Sequence, residues 1–572
     1  MDRSKLWFVD FEFRDVKDGT YEVHCGVALN LESRELIEEW QPGETSRIGQ
    51  LFHDKENVLV AYYASAEILS LVSIGGAIPK EVLDLYVEFK RLTNGKFAKY
   101  GKGLLGALKW FGLEVLDYFE KEEMRELAKR GGPYSHQETR RLIEYCKSDV
   151  LALEKLWPKL IGAHYDHKEW GQALLRGRYI KALSFVERKG LPIDVDMHSR
   201  MNKNWDQIKL EAVKSIESRF DVFEGLSFKY SKFESFVRGE KLAWPRLCSG
   251  RFDLKERTFR EIETLYPEIR RLREVRSILS KMKLRDLSIG PDGRNRVLLS
   301  PFASVTGRNQ PSTSKFIFGN SSWMRGLIKP EFGKSLAYID WSQQEFGIAA
   351  ALSGDENMMR AYESGDPYLE FAKLAEAVPP NATKESHPSE RALYKECVLA
   401  TQYGMGKDSL ARRIGKPPWV AKQLLDKHRA VFSKFWAWSD NVVKHAFSKG
   451  YLETVFGWRL QVNRNTDEKT IRNFPMQANG AEMLRLAIIF CVEDGIDVVA
   501  PVHDAIMIES EVSRVGLDIK KAQVHMLQAS KEILAGFSLG TDAEIVEFPA
   551  RYSDSRGETM WNLVTDSLES CS

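Results

Sequence analysis

Short apolar runs alternate with helically spaced apolar positions over the first 160 residues. Leu6-Trp7-Phe8-Val9 and Val58-Leu59-Val60 predict buried strands. Leu142, Ile143, Cys146, Val150, Leu153 and Trp157 recur at helical spacing and predict a helix over 137–157. This alternation predicts an α/β unit, with the polar, His-rich stretch 163–170 as its edge. From 173 to 300 the pattern is mostly helical, and Gly290-Pro291-Asp292-Gly293 marks a turn. Beyond 300, apolar runs near 336 and at 498–508 flank a long helical region. The second run is interrupted at His503-Asp504, which predicts a hairpin turning at that pair. No internal repeat or low-complexity segment stands out. No run approaches the ~18 uninterrupted apolar residues of a membrane span.

Composition changes this picture little. A chain of 572 residues, 43% hydrophobic, calls for several domains with sizeable cores. Its six cysteines include no CxxC pair, so reduced thiols in a cytoplasm are expected. Met1-Asp2-Arg3-Ser4-Lys5 leads into a strand without a signal-peptide pattern. The net charge of +2 says little, whereas its distribution is informative. Arg270, Arg271, Arg273, Arg276, Lys281, Lys283 and Arg285 face only Glu268, Glu274 and Asp286 in opposition. That imbalance predicts a face that follows a phosphate backbone.

Candidate chemistry collects where apolar runs break. Leu336-Ala337-Tyr338-Ile339-Asp340 and Val502-His503-Asp504 each deliver a carboxylate to a strand edge. Carboxylates on adjacent strands suit a pair of Mg²⁺ ions, which prefer hard oxygen donors. Between them, Arg391, Lys395, Leu399 and Tyr403 follow i, i+4, i+8 and i+12 and form one helical stripe. The two cations suit triphosphate oxygens, and Lys395 suits protonation of a pyrophosphate leaving group. Near the start, Asp10 and Glu12 lie two apart on one strand face, while Tyr145 and Asp149 lie one helical turn apart. Three such carboxylates suit two metals for phosphodiester hydrolysis, with Tyr145 orienting the water. Each pair taken singly is commonplace, and the weight lies in the set.

Taken in order, Thr306-Gly307-Arg308, Asp340-Trp341-Ser342-Gln343-Gln344-Glu345, Arg391-x3-Lys395-x7-Tyr403-Gly404, Asn473-x3-Gln477 and Val502-His503-Asp504 resemble the motifs of family A DNA polymerases, particularly the compact phage type. The resemblance covers nearly all of 175–572. It implies an α+β right hand over 171–572, with the thumb about 195–300, fingers about 351–450 and palm about 301–350 and 451–572. It further implies metal binding by Asp340 and Asp504, and triphosphate binding by Arg391 and Lys395. Tyr403, Gln343 and Leu399 would line the insertion site, with Glu345 as the gate against a ribose 2′-hydroxyl. Arg308, Asn473, Gln477 and His503 would touch primer-template DNA, where minor-groove contacts test shape more than sequence. Two positions depart from the family pattern: Leu399 replaces an aromatic residue, and Ala505 replaces a glutamate.

The segment 1–170 resembles the DEDDy class of 3′–5′ proofreading exonucleases, of RNase H-like α/β fold. This implies metal ligation by Asp10, Glu12 and Asp149, with catalytic roles for Glu67 and Tyr145. The middle motif departs from Asn-x3-Asp, since Tyr63 and Glu67 stand there. Asp84, Glu88 and Phe89 are additional candidates, for which a surface-helix role is expected. The combined expectation is a monomeric DNA polymerase with proofreading that replicates a phage genome. Its partners would be primer-template DNA, dNTPs and other replication proteins, with no membrane, and its cofactor Mg²⁺, two per site, with Mn²⁺ as a substitute. A narrower expectation is the phage group whose genomes carry 2-aminoadenine. Competing readings are a polymerase with a weakened or absent exonuclease, a single-subunit RNA polymerase and a non-catalytic nucleic-acid-binding replication factor.

Overall fold

The computed structural model describes residues 2–114, 118–161, 165–263, 265–280, 284–402 and 404–569. The N-terminal unit is built on a five-stranded sheet: β1 (Leu6–Asp15), β2 (Tyr21–Asn30), β3 (Leu36–Trp40), β4 (Val58–Ala61) and β5 (Glu81–Asp84), in the order β3-β2-β1-β4-β5. β1, β2 and β3 are antiparallel, whereas β4 and β5 join in parallel. Helices α1 (Ser65–Ser73), α2 (Leu85–Thr93), α3 (Tyr118–Arg130), α4 (His136–Leu160) and α5 (His167–Lys189) accompany it. Leu6 and Phe8 share a core with Leu142, Cys146, Val150, Leu153 and Trp157 of α4. Trp7, Val9 and Phe11 share the other core with Tyr179, Ile180 and Leu183 of α5. Both faces of β1 are therefore covered, which is why its start reads as a continuous apolar run.

The expected strands at Leu6 and Val58 and the expected helix near 137–157 all form. The surface-helix role expected for Asp84, Glu88 and Phe89 is corrected, because all three are at most 1% exposed. Asp84 accepts hydrogen bonds from the backbone N–H groups of Tyr63, Ala64, Tyr86 and Val87, and so caps α2 and pins the turn before α1. Glu88 forms a bidentate pair with Arg176 of α5, at 2.6 and 2.8 Å. Around that pair α2 reaches into the second half of the chain. Lys90 donates to the Pro301 carbonyl, Arg91 to that of Gly457, and Asn94 to those of Val305 and Arg459. A buried charge pair with satisfied neighbours is costly to break from one side only, so α2 and α5 join the two halves.

The helical middle segment includes α6 (Glu256–Glu263) and α7 (Ile269–Ser280). Its cationic face is partly internal, which narrows the surface expected to follow a phosphate backbone. Arg273 bridges Glu256 and Glu263 at 3.0 and 2.6 Å. Arg276 lies 4.0 Å from the Phe259 ring centre and 4.7 Å from that of Phe228. Arg270, Arg271 and Arg285 remain exposed, and Lys281 and Lys283 lie outside the described residues.

The second sheet contains β6 (Lys334–Trp341), β7 (Asp497–Val502), β8 (Ala505–Glu511) and β9 (Thr541–Glu547), ordered β7-β8-β6-β9 and antiparallel throughout. Around it come α8 (Gln344–Ser353), α9 (Pro367–Leu374), α10 (Pro388–Gln402), α11 (Glu468–Glu493) and α12 (Val515–Ile533). Gly480 lets α11 approach α8, since a Cβ there would stand 2.7 Å from Gln344 Oε1. Among the described residues, no helix is long and apolar enough to cross a membrane.

Candidate functional site

β6 and β8 bring the first two candidate carboxylates together. Asp340 pairs in register with Ala505, and Val502 pairs with Ala505 across a two-residue turn formed by His503 and Asp504. The predicted hairpin is therefore present. His503 takes a left-handed backbone, φ 57°, which costs a non-glycine residue about 1–2 kcal/mol. A positive first turn position suits a two-residue hairpin, and this turn carries Asp504 at the sheet end beside Asp340. The Asp340 carboxyl is pushed up to about 6, first by burial and then by the charges of Asp504 and Asp542.

Asp542 is a neighbour the sequence reading missed. It lies directly opposite Asp340 on β9, and its carboxylate accepts a 2.6 Å hydrogen bond from Ser342 Oγ. In an antiparallel sheet, directly paired residues project to the same face. Ala505, Asp340 and Asp542 thus form one row. Glu509, further along β8, is 3% exposed and bound to Arg294, so it plays no part at this end.

The surrounding candidates take definite places. Gln343, also left-handed at φ 45°, precedes α8, whose first turn carries Glu345. Arg308 Nη2 meets Glu345 Oε1 at 3.1 Å. The Arg308 loop is held from behind by Arg485, which donates to the Gly307 carbonyl and pairs with buried Glu482. Trp458 Nε1 donates to the Val305 carbonyl in the same loop. Asn473 and Gln477 are half-buried one turn apart on α11. Arg391 and Lys395, one turn apart on α10, each lie 5.7 Å from the Tyr368 ring centre. Asp366 binds Arg391 Nε. Leu399 follows, half-buried. Tyr403 lies outside the described residues. Tyr368, Asp366, Arg485 and Glu482 were invisible to motif reading, because each acts from another element.

The second group sits where β1 meets α4. Oxygen atoms of Asp10, Glu12 and Asp149 lie within 4.8 Å of one another. Glu67, in the first turn of α1, is 4% exposed, and its Oε2 has no hydrogen-bond partner; neither has Asp10 Oδ2. Burial raises the Asp10 and Glu12 carboxyls well above the usual range, with Asp149's charge adding to the shift on Asp10 and Asp10's to that on Glu12. Burial raises Glu67 too, with Asp10's charge next, which ties Glu67 to the cluster. The Tyr145 phenol is raised by burial and then by the charge of Asp149. The Cys146 thiol donates to the Asp10 carbonyl at 3.1 Å. Crowded, under-satisfied hard oxygens are the donor set of a divalent cation site, so these residues fit Mg²⁺ or Mn²⁺. The Asp340–Asp504 pair fits on the same donor chemistry.

Residues 316–542 match the family model of DNA polymerase family A. DNA polymerase I of Aquifex aeolicus is 24% identical over 445 residues, covering 71% of this chain and 75% of that protein. The thermostable DNA polymerase I of Thermus thermophilus is 29% identical over 205 residues, which span 33% of this chain and only 24% of that protein. The DNA polymerase of Mycobacterium phage L5 is 24% identical over 375 residues, 63% of this chain and 60% of that one. In fold, the chain is similar to the POL domain of Pol1 from M. smegmatis, solved in complex with DNA primer-template and dNTP. The TM-score is 0.71 at 17% identity, covering 95% of each chain. Residues 316–542 are thus similar to DNA polymerases of family A, and the chain shares the fold of a solved polymerase domain.

Proposed function

We propose that this chain is a template-directed DNA polymerase of family A that adds dNTPs to a primer 3′ end and edits that end with a 3′–5′ exonuclease. The observation that carries the first half is the Asp340–Asp504 pair, held side by side by the β6–β8 register inside the segment that matches the family. Mg²⁺ or Mn²⁺ held by Asp340 and Asp504 would neutralise phosphate charge and lower the pKa of the attacking 3′-hydroxyl. Arg391 and Lys395 supply donors for the triphosphate, and Tyr368 beneath them restricts their swing. Glu345, anchored by Arg308, stands where a ribose 2′-hydroxyl would be refused. Leu399 and Ala505 are where tolerance of an altered base such as 2-aminoadenine would be set. Asn473 and Gln477, with the Arg308 loop, offer donors to the minor groove of primer-template DNA. A monomer replicating a phage genome is the biological setting we favour, in line with the L5 relative.

The exonuclease half rests on the Asp10, Glu12 and Asp149 cluster and on buried Glu67. Glu67 is one methylene longer than the aspartate expected there, and its unpartnered Oε2 supports the same role. Tyr145 would hold the attacking water while Asp149 fixes its hydroxyl. Primer extension on a DNA template with Mg²⁺ tests the whole. Labelled primer should lengthen only when dNTPs complementary to the template are present and should shorten from the 3′ end when dNTPs are withheld. Extension with rNTPs in preference to dNTPs would refute the assignment to DNA synthesis.

The pH dependence follows from Asp340. Its carboxyl holds a proton up to about pH 6, and a divalent cation must displace that proton to bind. The metal concentration for half-maximal extension is therefore flat above pH 7. Below pH 6 it should rise about tenfold per pH unit. Asp542→Asn removes one of the charges that raise Asp340, so the break should move to lower pH. A break that stays in place in Asp542→Asn would separate Asp542 from the site.

A further inference from the structure

The nuclease-like cluster contains a cation that belongs to the chain itself. Lys121, from α3, places its ammonium 2.7 Å from Asp149 Oδ2 and 5.4 Å from the Tyr145 ring centre. Its side chain is 25% exposed, and that of Asp149 is 10% exposed. Neither β1 nor α4 supplies this residue. α3 is fastened to α4 by Arg141, whose two terminal nitrogens each lie 2.9 Å from a Glu123 oxygen, and Met124 anchors the same helix at 1% exposure.

Carboxylates this close repel one another, and a buried cluster of them needs a compensating cation. Lys121 provides one positive charge from outside the sheet. It does so through an oxygen of Asp149, one of the three carboxylates that would ligate a metal. An ammonium in hydrogen-bond contact and a divalent cation in coordination compete for that oxygen, because each draws on the same electron density and the two cations repel at that distance. Lys121 also has a flexible four-carbon stem and partial access to solvent, so its head group can leave without moving the helix. Asp10 Oδ2 and Glu67 Oε2 are buried and accept no hydrogen bond, from Lys121 or any other described group, and still call for a cation.

We propose that Lys121 is a tethered counter-ion of the nuclease site, which holds Asp149 while the site is metal-free and yields that oxygen when a divalent cation enters. The proposal rests on the exonuclease reading above and adds a setting to it: the Lys121–Asp149 pair fixes the metal concentration at which the site loads. The polymerase site has no such internal competitor among the described residues, so the two activities would respond to metal at different concentrations.

The test is direct Mn²⁺ binding to the full chain carrying Asp340→Asn and Asp504→Asn, read from the electron paramagnetic resonance of free Mn²⁺. In that background Lys121→Gln should lower the half-saturating Mn²⁺ concentration about tenfold, the scale on which residues beside metal ligands tune affinity. Lys121→Arg, which keeps the charge, should stay close to the parent and serves as the second variant if the neutral one misfolds. Asp149→Asn should abolish tight binding. Unchanged or weaker Mn²⁺ binding in Lys121→Gln, with Asp149→Asn still abolishing it, overturns the counter-ion alone. Tight binding that survives Asp149→Asn overturns the nuclease site itself, and Lys121's role with it.

Discussion

Asp504→Asn extends a primed template roughly a thousandfold more slowly than the parent chain, the rate equivalent of about 4 kcal/mol of transition-state charge stabilisation. The substitution keeps the size of the side chain and removes only its charge. The His503–Asp504 turn and the Val502–Ala505 pair that supports it are backbone features, so the fold persists. Stability should change little, because Asp504 is half-buried at a sheet end rather than enclosed in a core. Removal of a mismatched 3′ nucleotide should continue unchanged, since Asp10 and Glu12 on β1 and Asp149 on α4 belong to the N-terminal unit. Rapid-quench measurement of single-nucleotide addition checks the first effect. A loss of less than about tenfold would mean that Asp504 supports the site without holding a reacting group.

Asp10→Asn produces the opposite separation. Excision of a 3′ mismatch should fall at least about a hundredfold while extension of a matched primer stays near the parent rate. The same substitution carries a second, independent signature in stability. In the folded, metal-free chain the Asp10 carboxyl is raised to about 8, whereas in the unfolded chain it ionises near the ordinary value of about 4. The stability due to this group is therefore fully present below about pH 4 and is lost as pH rises through its folded value. Asn cannot ionise, so the metal-free variant should gain stability relative to the parent as pH rises from 5 to 8. Thermal unfolding in a chelator across that range reads the difference. Divalent metal should stabilise the parent by more than it stabilises the variant, which keeps only the Asp340–Asp504 site.

The parts legible in the sequence were those whose signal is local. β1 and α4 could be read because apolar periodicity lies within each element, and Asp10, Glu12, Tyr145 and Asp149 then followed from strand and helix spacing. The hairpin turn at His503-Asp504 was equally visible, because a polar pair interrupts an apolar run. What escaped was chemistry supplied from elsewhere. Asp542 meets Asp340 only through the β6–β9 register, and Lys121 reaches Asp149 from a helix with no motif of its own. The same limit explains the reading of the cationic stretch at 270–285. Its charge imbalance is real in sequence, but Glu256 and Glu263 on the preceding helix pair with Arg273, and aromatic rings take up Arg276. Asp84 and Glu88 were expected on a surface because charged residues usually are. Their partners, four backbone N–H groups and Arg176, become visible only in three dimensions.

The two-site division is the central claim, and one experiment tests it most directly. A 5′-labelled primer ending in a mismatch is annealed to a DNA template, and the parent chain, Asp504→Asn and Asp10→Asn are each supplied with Mg²⁺ and dNTPs. The parent should trim the mismatch and then extend. Asp504→Asn should trim without extending, and Asp10→Asn should leave the mismatch in place yet extend a matched control primer. Extension by Asp504→Asn at the parent rate, or undiminished trimming by Asp10→Asn, would contradict the division.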